Sequence, residues 1–312
     1  MAMAVAGCRR AEYRTASGAV WGTTYHITYC ADRDLTDSIL AQMRQVELSL
    51  SAFDAQSLVS KINDNRSDAV DHHFRSVFAV AKSVYDLSGG AFDPSVGPLV
   101  QLWGFGKDKT AAEPDSAAIA AALQRVCFGR CYIDGDRLVK PRPDVVLDFS
   151  AIAKGYGVDC VAQMLRHNGV TDFMVEIGGE VAVSGVNPRS QPWHIMVDAP
   201  QRDTAPGDSA IQVLELTDRA VATSGNYRNY RRTASGQIYG HTINPHTGLP
   251  AQSTVLSATV VCATCVEADA LATACMVLAP DSALVMLSRA NARALLVVAD
   301  VNDSYRIIST LE

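Results

Sequence analysis

The sequence predicts an α+β fold in one domain, with mixed or antiparallel sheets packed against helices. Three observations carry this. Apolar residues at helical spacing alternate irregularly with period-two stretches, several strand-like stretches follow one another without a helix between them, and no repeat, low-complexity tract or linker divides the 312 residues. With 48% apolar and 19% charged residues, the chain is large enough to bury a core.

The elements follow in order. "VWGTTYHITY" alternates as a strand over 20–29. "DLTDSILAQMRQVELSLS" spaces Leu35, Ile39, Met43, Val46 and Leu50 as a helix behind an Asp34 or Thr36 cap. "HFRSVFAVAKSVYDLSGG" stacks Phe74, Val77, Phe78, Ala81, Val84 and Tyr85 on one helical face and stops at Gly89-Gly90. A third helix is predicted in "DSAAIAAALQRV", and "CYIDGDRLVK" reads as a hairpin turning at Asp134-Gly135. A strand "DVVLDF", a helix "AIAKGYGVDCVAQMLRHNG" and the strands "FMVEIG", "EVAVSG" and "WHIMVDA" make the middle of the chain. Residues 199–210 read as a long polar loop. The tail gives a strand over 255–261, helices over 266–278 and 280–289, and the strands "ARALLVVA" and "YRIIS".

Composition excludes some classes of function. A net charge of -6 without a run of Lys and Arg gives no nucleic-acid footprint. No apolar run reaches the roughly 18 residues of a membrane span. Val5-Ala6-Gly7-Cys8 resembles a lipobox, although neither a charged segment nor a full apolar segment stands ahead of it. Residues 1–8 therefore read either as the remnant of a lipoprotein signal or as a chance small-residue terminus, with the folded domain over 9–312. Eight cysteines in a chain this long are not a disulfide scaffold, and Cys127, Cys131, Cys262 and Cys265 read as small buried hydrophobes rather than as a zinc knuckle.

Five segments have the residue types that chemistry needs. In "GGAFDPSVGPL" two glycines free the backbone, Phe92 offers a flat apolar face and Asp93 is fixed ahead of a proline; read alone, this is also a helix stop and a turn. In "LDFSAIAKGYGVD" a helix opens near Ser150 or Ala151, so its N–H groups and Lys154 can face an anion. Lys154 opposes the helix dipole there, though it also reads as a solvated side chain. Gly178-Gly179 in "VEIGGEVAVSG" make a tight hairpin, or a place where a flat ring lies against the backbone. Asp269 and Thr273 in "EADALATA" stand i and i+4 on a helix and offer a carboxylate and a hydroxyl to a hard cation such as Mg2+; the alternative is a dipole-favoured aspartate and a threonine bonded to its own turn. In "YGHTINPHTGLP" His241 ends a strand, with Asn244-Pro245 and Gly248-Leu249-Pro250 fixing the backbone after it, so its imidazole suits a general base; His246 reads as loop surface.

Taken in order, "WGTTYHI", "LSAFDAQSLVSKIN", "GGAFDPSVGPL", "LDFSAIAKGYGVD", "VEIGGEVAVSG", "PWHIMVD", "AVATSGNY", "YGHTINPHTGLP" and "VEADALATA" resemble the FAD:protein FMN transferases, the ApbE family. The resemblance spans nearly the whole chain and implies a single ApbE-like, T-fold-like domain. It implies Mg2+ as cofactor and FAD as donor, with FMN passed to a threonine or serine hydroxyl of an acceptor protein and AMP released. By resemblance, Asp269, Thr273 and the backbone oxygen of Ala151 hold the metal. Trp21, Phe53, Ala91, Phe92, Asp93, Lys154, Gly178 and Ile243 contact FAD, and His241 is the catalytic base. The family commonly has methionine and tyrosine where this chain has Trp21 and Phe53, so the flavin packing is where the chain departs from its pattern. Hydrolysis of FAD to FMN and AMP, and flavin carriage without turnover, are the competing functions. Relatives are periplasmic lipoproteins, which implies a tether through Cys8 on the periplasmic face of the inner membrane; fatty-acid labelling tests it.

Overall fold

In a computed structural model, residues 11–106, 113–200, 210–226, 230–232, 238–300 and 304–311 are described. Cys8 and all but the ends of the expected 199–210 loop lie outside them.

The described residues open with a hairpin of β1 (Glu12–Val20) and β2 (Thr23–Ala31), joined by Trp21 and Gly22, both at positive φ. That is what a two-residue turn matched to strand twist requires, and it places a bulky Trp21 in the left-handed region. Helices α1 (Thr36–Leu50), α2 (Leu58–Asn63) and α3 (His72–Leu87) follow. The Asp71 side chain accepts from Phe74 N–H and caps α3. Short α4 (Gly97–Leu102) and α5 (Ser116–Leu123) lead to the hairpin β3 (Tyr132–Asp134) and β4 (Arg137–Val139), and α6 (Ala153–His167) precedes the hairpin β5 (Phe173–Ile177) and β6 (Glu180–Ser184). The remainder comprises β7 (Trp193–Asp198), β8 (Ala210–Leu216), β9 (Arg219–Gly225), β10 (Tyr230–Arg232), β11 (Ile238–Gly240), β12 (Val255–Cys262), α7 (Cys265–Cys275), α8 (Pro280–Arg289), β13 (Arg293–Ala299) and β14 (Tyr305–Ser309).

Eight strands form one sheet in the order β1-β2-β5-β6-β9-β12-β13-β14, and every pairing in it is antiparallel. Alternation along its central strands divides the core. Ala258 and Val260 of β12, with Ala294 and Leu296 of β13, join the cluster of α3, α7 and α8. The intervening Val261, Leu295 and Val297 meet Trp193, Val197 and Leu214 of the β7–β8 hairpin on the other face. Both faces are covered, so β13 reads as a continuous apolar run, and β12 as one broken only by Ser257 and Thr259, despite being antiparallel.

"DVVLDF" is not a strand. The Asn63 side chain both donates to Leu147 C=O and accepts from Leu147 N–H, each at 2.8 Å, and Asp148 N–H donates to Pro94 C=O at 2.7 Å. A side chain and a loop satisfy this backbone in place of a strand ladder. The expected cysteine burial is observed at Cys127, Cys131, Cys262 and Cys265, whose side chains pack in the core. No helix among the described residues is long and apolar enough to cross a membrane.

Candidate active site

One cavity of about 1140 Å3 opens where α6 and α7 begin, and it gathers the expected residues apart from Trp21. Phe53, Ala91, Phe92, Asp93, Ala151, Lys154, Gly178, His241, Ile243, Asp269 and Thr273 all line it. A volume above the usual 300–1,000 Å3 of small-molecule pockets suits a dinucleotide-sized ligand.

Its floor comes from two helices in close approach. A Cβ on Gly155 of α6 would stand 2.4 Å from the Cys265 carbonyl and 2.8 Å from the Asp269 Cβ, so glycine is what lets α6 reach α7. Gly155 N–H then donates to Asp269 Oδ2 at 3.0 Å. The anion faced by the start of α6 is thus the protein's own carboxylate, oriented by that bond. Asp159 works in the reverse direction, accepting from Cys265 and Val266 N–H at 2.9 and 2.8 Å where α7 begins. Burial nonetheless pushes its carboxyl up to about 6. Thr273 stands one turn beyond Asp269, its Oγ1 3.3 Å from Ser224 Oγ of β9. Asp269 is buried.

Lys154, in the first turn of α6, pairs with Glu180 at 3.0 Å between Nζ and Oε1. Burial alone would lower the lysine pKa, but the charges of Asp269 and then Glu180 outweigh it and hold the ammonium above its ordinary range. Burial and then Asp269 push the Glu180 carboxyl up. Its Oε2 is buried without a hydrogen-bond partner. Gly178 and Gly179, at φ +64° and +97°, turn β5 into β6 and bring Glu180 to this point.

His241, directly after β11, lines the same cavity. Its ring meets Phe105 edge-on at 6.4 Å between centroids. The following loop is closed by Asn244 N–H to Leu249 C=O, Gly248 N–H to Asn244 C=O and Ala251 N–H to Thr242 C=O, all between 2.8 and 2.9 Å. Trp103 Nε1 donates to the Gly248 carbonyl at 2.8 Å, tying the loop to α4. Asn226 braces it from the β9 side: its Oδ1 accepts from Thr242 Oγ1 at 2.7 Å, and its side chain fills the space a Cβ on Gly240 would need. His246 is exposed, as expected, yet its ring rests against Gly90, where a Cβ would lie 3.0 Å from Cε1.

Beyond Gly90 the chain buries Ala91, Phe92 and Asp93. Asp93 accepts from Ser95 N–H at 2.7 Å and from Ser95 Oγ–H at 2.6 Å, while burial raises its pKa. Phe53 is 70% exposed at the cavity rim, an unusual state for phenylalanine. Trp21 lies behind the wall rather than on it. Its ring covers Gly157 of α6, where a Cβ would be 2.2 Å from the indole, and its Nε1 is buried without a hydrogen-bond partner. Neighbouring Gly22 and Thr23 line the cavity instead.

Glu180, Ser224, Asn226 and Trp103 were not among the sequence-predicted site residues. Ser224 and Asn226 stand in the quoted segment "AVATSGNY", and Glu180 is a charge opening the mostly apolar "VAVS" strand; Trp103 left no such trace.

The donor set fits a hard cation. Among the described residues no three His, Cys, Asp or Glu side chains cluster as a metal site. A cation here would instead use the Asp269 carboxylate, the Thr273 hydroxyl, the Ala151 carbonyl and ligand phosphates, as Mg2+ commonly does.

The chain is similar to known proteins over most of its length. The ApbE family model matches residues 21–296. A Vibrio cholerae protein described as an FAD:protein FMN transferase is 36% identical over 316 residues, covering 97% of this chain and 92% of its own. The structure of the flavin transferase ApbE from Vibrio cholerae superposes with a TM-score of 0.86 at 33% identity, covering 96% of this chain and 97% of that one. The apo flavinyl transferase ApbE of Pseudomonas stutzeri also gives 0.86, at 32% identity and coverages of 96% and 95%.

Proposed function

The chain belongs to the ApbE family, and we propose from that premise that it is an FAD:protein FMN transferase that uses Mg2+ and a threonine or serine hydroxyl of an acceptor protein. The observation that carries this reading is that one cavity is lined by His241 together with Asp269 and Thr273.

In this account the acceptor hydroxyl oxygen bonds to the FMN phosphorus of FAD. The bond from that phosphorus to the bridging oxygen breaks, and AMP leaves with the electron pair. His241 takes the hydroxyl proton as the new bond forms, a contribution of roughly 10^2 to 10^4 in rate. The braced loop keeps its imidazole in place, which matters because a misplacement of about 1 Å costs on the order of 10^2. Lys154 binds and orients the pyrophosphate. Asp269, Thr273 and Ala151 are the residues that would hold Mg2+, which when bound polarises the phosphorus and stabilises the departing AMP. Phe92 and the exposed Phe53 offer apolar faces to the isoalloxazine, the latter with no hydroxyl to donate.

Product accounting tests the assignment. With FAD, Mg2+ and a threonine-bearing acceptor, AMP should form in equal amount to acceptor-bound flavin. Free FMN equal to the AMP, with the acceptor unmodified, would make the protein a pyrophosphatase instead.

A further inference from the structure

We infer that Glu180 is a positioning residue which keeps the Lys154 ammonium off Asp269, so that the Asp269 carboxylate stays available to a cation. The inference rests on the cation site proposed above and adds to it a group in the β5–β6 hairpin.

Lys154 has two carboxylates to choose between. It is paired with Glu180, 3.0 Å away. Asp269 lines the same cavity and accepts from the N–H of Gly155, the residue next to Lys154 in α6. An ammonium on a flexible four-carbon stem turns readily to the better anion. Were it to pair with Asp269, it would occupy the oxygens a divalent cation needs. Glu180 is built to prevent this. It is 4% exposed and sits at the start of a central strand. Behind it, the Gly178-Gly179 turn is fixed by Gly179 N–H donating to Glu176 Oε1 at 2.7 Å. A Cβ on Gly178 would lie 3.3 Å from both Glu180 Oε2 and Lys154 Cδ, so the turn also makes room for the pair. A buried carboxylate with one oxygen lacking a hydrogen bond is costly, and its own hydrogen bonds do not offset that cost. Holding a competing cationic side chain at a fixed point does. The same pair leaves Lys154 on the cavity wall, where it can face a pyrophosphate.

Electron paramagnetic resonance of Mn2+ titrated into the full chain in the presence of FAD tests this by a readout other than turnover. Glu180→Gln should raise the Mn2+ Kd about tenfold, the lower end of what loss of a supporting partner costs a metal site. In a Lys154→Met background the same substitution should leave the Kd unchanged within about twofold, since no ammonium remains to be restrained. An equal loss in both backgrounds would mean that Glu180 acts on the cation directly, and no loss in either would mean that it has no part in the site; each overturns the inference while leaving the cation site standing. Absence of Mn2+ binding by the unsubstituted chain would instead overturn the cation site, and this inference with it. Glu180→Asp, charged but one methylene shorter, replaces Glu180→Gln in the same comparison if the latter does not fold.

Discussion

Asp269→Asn should reduce FMN transfer on the order of 10^3-fold while leaving the protein folded. Asparagine keeps an oxygen for the Gly155 N–H bond, which is 3.0 Å long in the unsubstituted chain. Asp269→Ala would strand that buried donor, at about 1–3 kcal/mol, and confuse stability with chemistry. What asparagine loses is the charge. A metal acting as a Lewis acid supplies several kcal/mol of transition-state stabilisation, and each 1.36 kcal/mol is a factor of ten in rate. Steady-state rates at saturating Mg2+, with circular dichroism as the fold control, measure both. Transfer within tenfold of the unsubstituted chain would remove Asp269 from the metal site.

His241→Ala should lower kcat by roughly 10^2 to 10^4 and leave the Kd for FAD within a few-fold. The residues bracing the loop do not depend on the imidazole. Trp103 bonds the Gly248 carbonyl, and Asn226 bonds Thr242. The wall should therefore stay in place when the ring is cut away. Titration of FAD fluorescence against the variant, with single-turnover rates beside it, separates the two effects. Loss of FAD affinity with an unaltered rate for the bound fraction would make His241 a wall residue, not a base.

Periodicity made much of the helical framework legible. The faces built on Phe74, Val77, Phe78, Ala81 and Val84 are the faces that pack in α3, and α8 falls on the expected residues 280–289. Strand β1 escaped because it is a sheet edge with mostly exposed or half-buried side chains, so its sequence "EYRTASGAV" shows little apolar alternation. "DVVLDF" misled in the opposite way. Val145, Leu147 and Phe149 are buried at every second position, but against helices and with Asn63 as backbone partner. Period two records burial, not hydrogen bonding.

The site divides along similar lines. Asp269 and Thr273 were readable because one helix fixes their relation, and the His241 loop because proline and glycine mark its turns. The unfavourable place of Lys154 in a helix start was a real signal, and its explanation is the distant partner Glu180. That pairing needs β6 to lie beside α6, a fact of tertiary structure that no local window contains. Trp21 shows the same limit. Its position in the chain suggests the cavity, but the left-handed turn swings its indole onto Gly157.

The central claim is that one cavity holds FAD with its pyrophosphate between a cation on Asp269 and Thr273 and the imidazole of His241. Anomalous diffraction from crystals of His241→Ala grown with FAD and Mn2+ tests it most directly, because slowed chemistry preserves the donor. The expected map has one Mn2+ peak bonded to Asp269, Thr273 and the Ala151 carbonyl, with the pyrophosphate between it and position 241. A Mn2+ peak away from Asp269, or FAD bound outside this cavity, would contradict the account.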